Sequence, residues 1–158
     1  MSSSASDLIK FEKQTTGENS GTWGTLANRA MSRLEESIAG MRSITLAGGT
    51  YTLDDTQYVE NSTTTAESHL MIIKATGTPG ASRKIVVPLR TKLYLIWNTV
   101  TTYDLTVGGS SGDTVTITNG SLAFIFCDGT NVEFASPLVT TAGELTADPD
   151  IGLIIGLG

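Results

Sequence analysis

Two periodicities divide the chain. From Thr25 to Ala39 apolar residues recur at alternating steps of four and three, at Ala27, Met31, Leu34 and Ile38, with Met41 next in the series. Arg29, Arg33, Glu35 and Glu36 occupy the other faces, so the pattern is that of an amphipathic helix over 25–41. Thr22 stands where an N-cap belongs and Gly40 where a helix ends. Beyond residue 42 the period shortens to two. Ser43–Leu46, Tyr51–Leu53, His69–Lys74, Ile85–Val87 and Thr91–Asn98 are short apolar or alternating runs separated by turn formers, and Pro88 suits a strand end. Thr114–Thr118 alternates strictly, placing Val115 and Ile117 inward. Asn119-Gly120 predicts a two-residue type I′ hairpin pairing 113–118 with Leu122–Cys127, and Asp128–Asn131 predicts a second turn that brings Val132–Ala135 back. Three successive antiparallel strands are expected there.

The pattern as a whole, about eight short strands at turn-rich intervals, predicts a mainly β chain. The expected architecture is an antiparallel β-sandwich or barrel-like domain over 42–136, preceded by an extended arm over 1–24 and the single helix. Residues 137–158 are expected to form an extended tail. Within the arm, Leu8, Phe11 and Trp23 are apolar anchors among Gly, Thr, Ser and Asn. A lone Trp among turn formers fixes such an arm to a surface. In the tail, Ile151, Leu153 and Ile154 alternate with glycine, a composition suited to joining a neighbour's sheet edge. The helical seam has two candidate destinations, this chain's own sheet or other copies around a symmetry axis, because its spacing is that of a two-heptad coiled coil.

Composition narrows the function classes. Charged residues make up only 16% of the 158, the net charge is -6 and the pI is about 4.6, which argues against wrapping nucleic acid or lying on anionic lipid. The opening Met-Ser-Ser-Ser-Ala-Ser-Asp lacks a basic region followed by an apolar core, and no apolar run reaches the roughly 20 residues of a membrane span, so neither a secretory leader nor membrane insertion is expected.

Candidate chemistry is sparse. Cys127 lies in an apolar strand and reads as a buried thiol. His69, the only histidine, has no cysteine or second histidine with which to build a zinc site and is expected at the surface or an interface. Asp54-Asp55 fits a solvated loop better than a glycosidase pair. Gly108–Gly112 lacks the Lys-Ser/Thr of a phosphate loop and is expected to be a flexible connection. No catalytic residue, cofactor or metal is expected. Tyr51, Tyr58 and Tyr103 are the candidates for stacking on a sugar.

One cassette runs from Val86-Val87-Pro88 through Leu93-Tyr94-Leu95-Ile96-Trp97-Asn98 to Thr118-Asn119-Gly120 and Phe126-Cys127-Asp128-Gly129-Thr130-Asn131-Val132. It resembles a β module of bacteriophage tail-fibre and other virion structural proteins. Thr16–Gly24 followed by an amphipathic helix resembles the same group, so the likeness spans most of residues 8–136. The resemblance implies a non-enzymatic virion protein, assembled in the host cytoplasm as a symmetric homo-oligomer, with a trimer favoured, and attached to other proteins of the tail or head. A capsid decoration or head-fibre protein, or a module binding host-surface glycan, is the alternative.

Overall fold

Parallel strand pairs, each joined by way of the opposite sheet, set the architecture. The computed structural model describes residues 4–9, 12–17, 20–56 and 66–135. A small hairpin of β1 (Ser4–Ala5) and β2 (Glu12–Lys13) precedes helix α1 (Trp23–Ala39). There follow β3 (Met41–Thr45), β4 (Tyr51–Thr52), a 3₁₀ turn (Glu67–His69), β5 (Ile72–Thr76), β6 (Arg83–Val86), β7 (Lys92–Asn98), β8 (Leu105–Gly108), β9 (Thr114–Ile117), β10 (Leu122–Cys127) and β11 (Val132–Phe134). One sheet has the order β11-β10-β7-β5-β3 and the other β4-β6-β8-β9.

From β3 to β8 the chain alternates between the two sheets. It therefore climbs as a coil in which β3, β5 and β7 are parallel neighbours on one side, and β4, β6 and β8 on the other. A parallel pair needs a long crossover, and here the strand of the opposite sheet serves as that crossover. Only afterwards does the direction reverse: β9 runs antiparallel to β8, β10 to β7 and β11 to β10. The described residues are thus β-rich with one α-helix, and the two larger sheets are mixed where purely antiparallel ones were expected.

The Asn119-Gly120 expectation fails for the same reason. β9 and β10 lie in different sheets, and the turn between them carries a positive φ only at Gly120 (78°), whereas a type I′ turn needs it at both central residues. Ser121 N–H donates to Thr118 O at 3.1 Å, and Asn119 Nδ2 donates to Val100 O, so the turn bridges the layers. The second predicted hairpin is present. Asp128 Oδ1 accepts from the N–H groups of Thr130 (2.6 Å) and Asn131 (2.7 Å), fixing the turn between β10 and β11.

The inner faces of both sheets share one core. Ile73, Tyr94, Ile96 and Ile125 come from the first, and Ile85, Leu105, Val107 and Ile117 from the second. Burying each such side chain stabilises the fold by about 1.5–3 kcal/mol. Cys127 is buried there as expected. Asn98 is a buried polar hub: Nδ2 donates to Tyr103 O (3.1 Å) and Ile117 O (3.0 Å), while Oδ1 accepts from Val100 N–H (3.2 Å). Gly108 and Gly109 are buried, with Gly108 inside β8, so the expected flexible loop begins only at Ser110. A Cβ at Gly109 would fall against Leu89.

Candidate functional site

Helix α1 is amphipathic with its apolar side turned outward. Leu26 is its only buried residue at 5% exposure, whereas Trp23, Met31, Leu34 and Ile38 are 66%, 67%, 45% and 61% exposed. Ala27 is half-buried and Met41, the first residue of β3, is exposed. The side that engages the rest of the chain carries Leu26 together with polar contacts. Arg29 Nη2 donates to the buried Glu12 Oε2 at 3.0 Å, and Arg33 lies close enough to His69 to affect its titration. The helix ends on Gly40, whose N–H donates to Glu36 O at 2.8 Å. Its φ is -70°, so glycine is required here for space: a Cβ would meet Glu36 O and lie 2.8 Å from Leu70 Cδ2.

This arrangement bears on the first of the two destinations considered for the seam, the chain's own sheet. Ala27, Met31, Leu34 and Ile38 do not cover this chain's own sheet. An isolated two-heptad helix is marginal in water, and a 17-residue helix with its apolar stripe in solvent lacks the packing that normally holds one.

The predicted arm and tail sites fare differently. Residues 4–13 include the β1–β2 hairpin, held to the helix through Glu12, in place of a wholly extended arm. Leu8 is exposed. Trp23 opens the helix and projects from it, packing into none of this chain's core. Phe11, Ile151, Leu153 and Ile154 lie outside the described residues.

A polar knot missed by the sequence reading joins Asp55, the 3₁₀ turn and Arg90. Arg90 donates through Nη1 to Asp55 Oδ2 at 3.0 Å and through Nη2 to Asp55 Oδ1, and Nη2 also reaches Ser68 Oγ at 2.9 Å. Ser68 Oγ donates to Asp55 Oδ1 at 2.6 Å. Burial works against the charge on Asp55, but the hydrogen bonds from Arg90 and Ser68 and the Arg90 charge hold its pKa below the usual carboxylate value. Asp55 is thus structural, unlike the solvated loop acid expected.

His69 corrects another expectation. It is buried in the 3₁₀ turn, three residues before β5 begins, and not at the surface. Burial first, then the charges of Arg90, Lys92 and Arg33, push its pKa down to about 4 against the opposing pull of Asp55. At neutral pH the ring is uncharged, so the 3.8 Å approach of Nε2 to Asp55 Oδ1 is not an ion pair. Lys92 Nζ donates to His69 O at 3.0 Å, with its pKa lowered to about 8 by burial and by Arg90. Tyr94 OH donates to Ser68 O at 3.1 Å. Ser68, His69 and Asp55 meet here, but Ser68 is fully buried and its hydroxyl bonds the carboxylate directly. The knot ties the 3₁₀ turn to β7 and presents no nucleophile to solvent.

Two of the three tyrosines proposed for sugar stacking are engaged elsewhere. Tyr51 OH donates to Glu67 Oε1 at 2.8 Å, Tyr103 packs on the core, and Tyr58 lies outside the described residues. Among the described residues no group of three potential metal ligands occurs, and no helix is long and apolar enough to cross a membrane. Comparison with protein-family models, curated proteins and solved structures returned no match to this chain.

Proposed function

We propose that this chain is a non-enzymatic structural protein of a bacteriophage virion, a tail fibre or tail-attached module that assembles as a symmetric homo-oligomer, with a trimer favoured. The observation that carries the oligomer is the outward apolar seam of α1, which lies away from the side on which Leu26 is buried and Arg29 bonds Glu12. A stripe of this spacing is covered when copies of the helix meet around an axis. The virion assignment rests on the resemblance of the 86–132 cassette and of the Thr16–Gly24 segment before the helix. Within this reading the two ends attach the oligomer to other tail or head proteins.

Sedimentation equilibrium of the purified chain tests the oligomer, and mass spectrometry of purified particles tests the location. A stable trimer found in particles supports the proposal. A chain that stays monomeric at every accessible concentration, or is absent from particles, overturns it.

A further inference from the structure

The outer face of the five-stranded sheet is as unusual as the helix. Outward positions of an exposed sheet are normally polar, and the four-stranded sheet mostly follows this, with Thr52, Lys84, Thr106, Thr114 and Thr116 beside the single large apolar Val86 on its outer side. The five-stranded sheet does not. In register, Met41, Ile72, Leu95 and Phe124 form one apolar row across β3, β5, β7 and β10, with Leu93 and Phe126 as a flanking pair. Met41, Leu93, Phe124 and Phe126 are all exposed.

We propose that a second copy of this chain covers this face, as part of the same interface that the helix seam begins. This rests on the homo-oligomer reading above. Two features select a copy of the chain as occupant. The first is continuity, because Met41 is both the next member of the helical series and the first residue of the cross-strand row. The second is size. A stable interface takes about 800 Å² and 20–30 residues a side, far more than a two-heptad seam supplies, and the sheet row extends it.

Phe124→Glu and the milder Phe124→Ser, each in the full chain with the helix untouched, test this by sedimentation equilibrium. The expected result is native circular dichroism and a dissociation constant raised at least tenfold by Phe124→Glu and less by Phe124→Ser. An unchanged dissociation constant for both overturns the inference and leaves the helix-mediated oligomer standing, whereas a monomeric parent chain removes the oligomer reading itself. The chain's own tail is the rival occupant. If Leu153→Ser with Ile154→Ser raises binding of an apolar dye while the oligomer mass stays constant, the tail covers the face and the inference fails.

Discussion

Leu95 of β7 and Phe124 of β10 stand directly opposite each other in the ladder, and both point away from the core filled by Tyr94, Ile96, Ala123 and Ile125. A cross-strand pair of this kind adds about 0.2–1 kcal/mol to the sheet. Its exposure to water is the greater effect. Substitutions on the outward side of β7, β10 and α1 should alter assembly, and those on the inward side should alter folding.

Leu34→Asp gives the clearest separation. The side chain is already exposed in the single chain, so circular dichroism and the unfolding midpoint of the dilute monomer should stay within error of the parent. Burying an unpaired carboxylate in a helix seam costs several kcal/mol, on the order of 2–4, so the dissociation constant should rise by at least thirtyfold. Sedimentation equilibrium measures it.

Arg90→Met removes the cation from Asp55 and a donor from Ser68. Asp55 is partly open to solvent, which screens the loss, and a destabilisation of about 1–2 kcal/mol is expected. Urea unfolding at pH 7 reads it, and Arg90→Lys should recover part of the difference.

Acid should weaken the fold before ordinary carboxylates titrate. The pKa of His69 is lowered in the fold to about 4, so between the unfolded value near 6.5 and pH 4 the unfolded chain takes up a proton that the folded chain refuses. Its contribution is complete above about pH 6.5 and is lost as pH falls toward 4, by on the order of 1–2 kcal/mol at pH 5. Asp55, with a lowered pKa, adds a further loss below about pH 4 as it is protonated. Urea midpoints at pH 7.5 and pH 5 should differ in the parent and converge in His69→Gln.

Gly40→Ala should be destabilising even though the backbone there is extended. The added Cβ would press on Glu36 O and Leu70 Cδ2, and such overpacking costs about 1–3 kcal/mol. Thermal unfolding checks it, with Gly48→Ala, where a Cβ meets nothing within 4 Å, as the neutral control.

The helix was legible because a 3.5-residue spacing is local, and the strands because alternation is local too. Thr114–Ile117 and Leu122–Cys127 could be read as strands, but nothing in either run says that they belong to opposite layers. Asn-Gly favours a hairpin without enforcing one. The parallel pairing of Met41–Thr45 with Ile72–Thr76 joins segments that share no turn, so no short signal marks it. The polar knot was hidden for a similar reason: Asp55, Ser68 and Arg90 are far apart in the chain, and Ser68 and Arg90 belong to types that usually face water. Thr91–Asn98 could be read as a strand, but its apolar run, with Leu93, Leu95 and Trp97 on one face and Tyr94 and Ile96 on the other, does not say which face the core takes.

The coiled path from β3 to β8 also fixes an order of events. Met41 cannot meet Ile72, nor Tyr51 meet Ile85, until the intervening chain has been laid across the other sheet, whereas Cys127 meets Val132 across one tight turn. Closing long loops slows folding, so the carboxy-terminal hairpin should acquire protected amides first and the first coil last, an order that pulse-labelled hydrogen exchange would reveal or refute. Because α1 runs directly into that last coil, the outward apolar side of the helix takes its final orientation only when the rest of the coil is in place.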